Sequence, residues 1–70
     1  MRKLYGFTIS VYENEEEWKC RSFTLPIDKI IFERACTKYA LLKRKKMVLE
    51  MFKALYPKGY FVVENFEKEI

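Results

Sequence analysis

Apolar and polar residues alternate over residues 4–12, near the start of the chain. The odd-numbered positions there are large and apolar, whereas most even-numbered positions between them are small or polar. A period of two is typical of a β-strand that buries one face, so this segment is predicted to be a strand. Gly6, on the more polar face, indicates a bulge or a group that approaches the backbone closely. The side chains predicted to face the core are Tyr5, Phe7, Ile9 and Val11.

Two further segments are predicted to be strands. Residues 18–24 alternate less regularly, and they follow residues 13–17, an acidic stretch with the composition of a turn in which Asn14 takes a positive φ. Residues 60–66 form the last apolar run of the chain. They follow Pro-Lys-Gly at residues 57–59, which ends a helix because Pro cannot continue one and Gly allows the chain to reverse. The first two strands are therefore predicted to form a hairpin.

Between these strands, residues 27–56 contain neither Gly nor Pro. Their apolar residues recur at intervals of three and four, which predicts a helix with one apolar face. Thirty helical residues would span about 45 Å, whereas strands of eight residues span only about 26 Å. We therefore expect either one long helix that bends between Cys36 and Lys46, or two consecutive helices with Thr37 capping the second.

Together these elements predict an α+β fold in a single domain, residues 1–70. The predicted architecture is a small three-stranded antiparallel sheet packed on one long bent helix or two consecutive helices, in the order β-β-α(α)-β. The third strand can pair beside either of the first two, and the pattern leaves this open. Seventy residues, half of them hydrophobic, suffice for one domain with a small core.

The composition argues against an enzyme. The chain has no histidine, the residue most often used as a general base and as a metal ligand. It has no glycine-rich phosphate-binding loop either, so we expect no cofactor and no metal. No apolar run approaches the roughly 20 residues of a membrane span, and no export signal is evident, so we expect a cytoplasmic protein. Cys20 and Cys36 are accordingly predicted to be free thiols, packed more than reactive.

Charge and aromatic content point to a macromolecular partner. The net charge is +4, and the run at residues 43–46 concentrates basic charge in the helical region, although four consecutive positions radiate around a helix instead of lining one face. Twelve aromatic residues exceed what so small a core encloses, which favours a protein interface. The candidate partner-binding residues are Trp18, Phe32, Tyr39, Arg34, Lys38, Lys43, Arg44, Lys45 and Lys46.

From the sequence alone, the favoured function is that of a small non-enzymatic protein that binds another protein as a regulator or inhibitor, encoded by a virus or mobile element. The alternative is a nucleic-acid-binding module that uses the basic helix surface. Both accommodate a homodimer. We expect self-association because the apolar area of residues 27–56 exceeds what one small sheet can cover.

Overall fold

The structure, a computed structural model, describes residues 3–69. Its elements are β1 (Lys3–Tyr12), α1 (Glu15–Lys19), β2 (Asp28–Arg34), α2 (Lys38–Leu55) and β3 (Tyr60–Glu69). The three strands form an antiparallel sheet in the order β2-β1-β3, and α2 packs on one face of it. The predicted α+β class and three-stranded sheet are confirmed. The third strand pairs with β1, which answers the question that the pattern left open.

The alternation in β1 explains why this strand lies at the centre of the sheet. Phe7, Ile9 and Val11 are fully buried, at 0% exposure, and Leu41 and Phe52 of α2 close the core above them. Even-numbered positions of β1 belong to the opposite sheet face, which we call the open face. There the ring of Phe66 from β3 packs directly over Gly6 and occupies the space that a Cβ would need. The close approach predicted at Gly6 is therefore confirmed.

The second strand is β2, not residues 18–24, and that prediction was wrong. Ile30 and Phe32 of β2 lie opposite Ile9 and Phe7 of β1, so pairing places their side chains on the face that packs against α2. Residues 18 and 19 belong instead to α1, a short helix that begins after Asn14.

Asn14 is the N-cap of α1. Its Oδ1 accepts a hydrogen bond from the Glu17 N–H at 2.9 Å, and three glutamates in the first turn complement the positive end of the helix. Its φ of −159° is extended, so the predicted positive φ at this position was wrong. The polar stretch thus begins a helix where a simple hairpin turn was expected.

The helical region is shorter than the predicted residues 27–56. It consists of α2 alone, because residues 28–34 pair with β1 as a strand. The predicted cap is confirmed, since the Thr37 hydroxyl accepts a hydrogen bond from the Ala40 N–H at 3.1 Å. The 18 residues of α2 span about 27 Å, close to the roughly 33 Å of a ten-residue strand. The helix therefore matches its sheet in length, and the overhang that called for a bend does not arise.

The end of α2 and the last strand largely follow the predictions. The helix ends at Leu55, just before Pro57. Phe61 and Val63 lie opposite Val11 and Ile9, so they share the face covered by α2. The strand continues to Glu69, which pairs with Lys3, whereas the pattern placed its end at Phe66. Within residues 3–69, no helix is long and apolar enough to cross a membrane.

Candidate functional site

The four consecutive basic residues at positions 43–46 of α2 point in three directions. Lys43 and Lys46 are exposed to solvent. Arg44 extends toward β2, where its guanidinium carbon lies 5.8 Å from the centre of the Phe32 ring. Lys45 extends toward β3, where its Nζ donates a hydrogen bond to Asn65 Oδ1 at 3.1 Å. The run therefore does not form one continuous cationic face, in agreement with the radiating arrangement expected for consecutive helical positions.

Phe32 lies at the margin of the core. Its ring stacks on that of Phe7, with centroids 5.2 Å apart and an interplanar angle of 17°. The guanidinium groups of Arg34, at 5.5 Å, and Arg44 also lie near this ring, in the geometry of cation–π interactions. Three of the candidate partner-binding residues thus meet on the face covered by α2, where Phe32 contributes to folding.

The remaining candidates are dispersed. Trp18 of α1 packs on Tyr60 with ring centroids 5.6 Å apart, and the guanidinium of Arg21 lies 4.8 Å from the Trp18 ring. Tyr39 is 77% exposed near the start of α2. Lys38 borders an open cleft of about 430 Å³ between the start of α2 and β3, with Glu67 on the opposite rim. These residues do not form one site with the Phe32 cluster.

Two ionisable side chains, those of Tyr56 and Asp28, are joined by a hydrogen bond. The Tyr56 hydroxyl donates a hydrogen bond to Asp28 Oδ2 at 2.9 Å, joining the end of α2 to the start of β2. This hydrogen bond raises the pKa of Tyr56 above its usual value of 10.0, and burial and the negative charge of Asp28 add to the shift. The pair forms a link between two elements, and donation of this hydrogen bond requires a neutral phenol.

Other chemically versatile side chains lie apart from one another. Among residues 3–69, no three Cys, Asp or Glu side chains come together as a metal site would require. Cys20 and Cys36 are both free thiols. Cys36 is half-buried, but Cys20 is exposed, because the segment expected to pack as a strand is instead the end of α1 and the loop that follows.

The most exposed apolar side chains lie in residues 20–27, which we call the apolar loop. Phe23 is 93% exposed and Leu25 is 90% exposed. The turn that carries them is held by hydrogen bonds: the N–H groups of Phe23 and Thr24 donate to the Cys20 carbonyl at 2.8 and 3.1 Å. The Thr24 hydroxyl also donates to the Glu17 carbonyl at 2.8 Å. This turn therefore holds Phe23 in solvent, and Leu25 follows directly after it.

A second set of exposed apolar residues runs along α2. Met47, Met51 and Leu55, each more than half exposed, recur every four residues and form what we call the methionine stripe. Arg44 precedes Met47 by three residues and reaches Phe32 of β2. The stripe therefore follows the flank of α2 nearer β2, beside the unpaired outer edge of that strand.

The candidate residues chosen from the sequence did not include Phe23, Leu25 or the methionine stripe. Leu25 directly follows residues 18–24, the segment predicted to be a strand, and its exposure could not be judged there. The methionine stripe could have been predicted from the sequence, because Met47, Met51 and Leu55 are four residues apart and such residues share a face of a helix. It was obscured by assigning residues 27–56 to one continuous helix, whose main apolar face passes elsewhere.

Comparison with protein-family models, with curated proteins and with solved structures gives no significant match. The functional proposal therefore rests on the geometry of this chain alone.

Proposed function

We propose that this protein binds another protein, as a regulator or inhibitor without catalytic activity of its own, and that the apolar loop is its primary contact. The observation that carries the proposal is the near-complete exposure of Phe23, on a hydrogen-bonded turn, and of Leu25 directly after it. Fully burying side chains of this size is worth about 1.5–3 kcal/mol each. Aromatic residues such as Phe are enriched at the centres of protein interfaces, and large exposed apolar side chains mark sites of protein contact.

Order in the loop adds to this argument. The turn is fixed by backbone hydrogen bonds and by the Thr24 hydroxyl, which contacts both Glu17 and Cys20. A loop that already holds its bound shape loses less conformational entropy on association than a flexible segment does. The two side chains are therefore presented to a partner at a low entropic cost, which favours specific binding.

Charges of both signs lie beside the loop. Lys19 and Arg21 precede the two apolar side chains, and both are exposed. Lys19 also forms an ion pair with Glu15 at 3.7 Å, but exposed pairs of this type are weak and exchange readily. The chain as a whole carries a net charge of +4. Because the glutamates of α1 adjoin the same loop, the apolar side chains define the partner: a protein surface with an apolar cleft that receives Phe23 and Leu25.

Nucleic-acid binding receives less support from the structure. Arg44 and Lys45 contact Phe32 and Asn65, and the exposed Lys43 and Lys46 share the outer side of α2 with Glu50. Phosphate recognition instead favours cations that converge on one groove. The capture experiment described next distinguishes nucleic-acid binding from protein binding.

The test compares two double variants that each remove an exposed aromatic residue and an exposed leucine. Phe23→Ala/Leu25→Ala changes the apolar loop, and Tyr39→Ala/Leu42→Ala changes α2 as the matched control. Immobilised protein captures partners from cell lysate with and without nuclease treatment, and the affinity for any captured protein is then measured by titration. We expect the loop variant to bind about 30-fold or more weakly, since two anchors together cost at least about 2 kcal/mol, while the control binds as the natural chain does.

Two results would contradict the proposal. One is a captured protein that binds the loop variant as tightly as it binds the natural chain. The other is capture that nuclease abolishes, which would favour nucleic acid as the partner. Circular dichroism of both variants establishes that they remain folded, as expected from the exposure of all four side chains.

A further inference from the structure

The outer edge of β2 has a sequence that is complementary to itself. In the part of the chain that the structure describes, β2 pairs only with β1, so alternate residues direct N–H and C=O groups away from the sheet. We propose that two copies of the chain pair antiparallel along β2 and form one continuous six-stranded sheet from two three-stranded ones. Ile31 of each copy lies at the two-fold axis.

Charge selects this register. With Ile31 opposite itself, Asp28 lies opposite Arg34 of the second copy, and Lys29 lies opposite Glu33 of the second copy. Each pair occurs twice because of the symmetry, and every pair joins opposite charges. Glu33 also accepts a hydrogen bond from Lys68 of its own chain at 3.3 Å, and a carboxylate can pair with both ammonium groups. A shift by two residues in either direction sets charged side chains opposite apolar ones. Opposite charges directly across antiparallel strands are favourable, whereas like charges are unfavourable.

Successive side chains of β2 point to opposite faces of the sheet, and pairing in this register keeps each residue opposite one on the same face. Lys29, Ile31 and Glu33 lie on the open face, whereas Ile30 and Phe32 lie on the face covered by α2. In the paired sheet, Ile30 lies opposite Phe32 of the second copy and extends the core across the seam. Because the two-fold axis is perpendicular to the sheet, both α2 helices lie on the same face.

The methionine stripe supports the same arrangement independently. Each α2 packs over β1, so three strand spacings, about 14 Å, separate the two helices across the seam. Helices in direct contact lie about 8–10 Å apart, which leaves a gap of about 5 Å to be filled by side chains. Met47, Met51 and Leu55 follow the flank of α2 that borders this gap. Pairing along β2 therefore covers the stripe, which is exposed in the single chain.

The other edge of the sheet lacks this complementarity. β3 carries Glu64, Glu67, Lys68 and Glu69, and Lys68 already pairs with Glu33 of its own chain at 3.3 Å. The remaining charges of β3 are carboxylates, which repel a second copy of the same strand. Charged side chains on an edge strand commonly prevent such pairing. One self-complementary edge and one repulsive edge give a closed dimer, whereas two permissive edges would give an open-ended assembly.

Paired charge variants test the register. The charged residues of β2 on the open face are at positions 29 and 33. In Lys29→Glu both positions carry carboxylates, and in Glu33→Lys both carry ammonium groups. Each variant alone sets like charges opposite each other twice per dimer. We expect the dimer dissociation constant measured by sedimentation equilibrium to rise about tenfold or more for either variant. An equimolar mixture of the two should form a heterodimer about as stable as the natural dimer, because each chain then meets opposite charges.

The control is Lys58→Glu, which makes the same charge change at an exposed position outside β2 and should leave dimerisation unchanged. A natural chain that remains monomeric at its highest soluble concentration would overturn the proposal. So would variants that dimerise as the natural chain does, or a mixture that associates no better than its components. A monomeric chain that still captures a protein through the apolar loop would overturn the dimer and leave the proposed function intact.

Discussion

At the scale of single residues, three polar side chains determine where elements begin and how they are joined. Asn14 and Thr37 accept hydrogen bonds from the first turns of α1 and α2, and Tyr56 donates to Asp28 where α2 meets β2. The role of Thr37 could be predicted, because a hydroxyl before a helical pattern is a recognised cap. The Tyr56–Asp28 bond could not be predicted, since it joins residues whose proximity depends on the assembled sheet.

Replacing Tyr56 with Phe should alter how stability depends on pH. Because the folded state raises the pKa of Tyr56, the stabilisation from its hydrogen bond is fully present below the usual value of 10.0. It is lost as pH rises through the higher folded-state pKa, where phenolate and carboxylate repel each other. The difference in unfolding free energy between the natural chain and Tyr56→Phe should therefore be constant below pH 10.0 and shrink above it.

Denaturant titrations across this pH range provide the measurement, with Tyr39→Phe as the control for loss of an exposed phenol. A difference that stays constant at all alkaline pH values would show that the bond to Asp28 makes no contribution in solution.

At the scale of elements, β1 could be predicted because it buries one face along most of its length, and β3 because an apolar run follows the Pro-Lys-Gly stop. β2 could not, since Ile27, Ile30 and Ile31 recur at helical spacing, which obscures the short alternation of Ile30 and Phe32. Pairing with β1 decides between the two, and that is a tertiary effect. The helix α1 has only five residues, too few to be stable alone, so its cap and its packing through Trp18 hold it in place.

Thr37 offers a test of the boundary between β2 and α2. Thr37→Ala removes the acceptor for the Ala40 N–H and should lower the free energy of unfolding by about 1 kcal/mol. Thr37→Asp keeps an acceptor and adds a negative charge at the positive end of α2, whose first turn contains no acidic residue. It should match or exceed the natural stability in urea denaturation. Equal stabilities for the Ala and Asp variants would mean that α2 does not begin at this residue.

At the scale of the whole molecule, the candidate site was the part least accessible to prediction. Residue types suggested a protein interface, but exposure depends on what the fold covers. Phe32 was a candidate anchor, and pairing of β2 places it on Phe7 at the edge of the core. Leu25 adjoins Pro26 and follows no periodic pattern, so its exposure emerges only from the assembled loop.

The assembled molecule presents separate surfaces for separate tasks. The apolar loop connects α1 with β2, whereas the self-complementary edge lies along β2 itself and beside the methionine stripe. A dimer formed along β2 would carry two copies of the apolar loop. Two linked copies bind a multivalent partner more tightly than one does, provided that both sites can be reached together.

Site-specific photo-crosslinking is the most direct test of binding through the apolar loop. A photoreactive phenylalanine analogue replaces Phe23 in one sample and Tyr39 in another, so that both probes occupy highly exposed positions. After irradiation in nuclease-treated lysate, we expect the probe at position 23 to form a covalent adduct with a discrete protein, and the probe at position 39 to form little of it. The same adduct formed from position 39 and not from position 23 would contradict the assignment of the apolar loop as the contact surface.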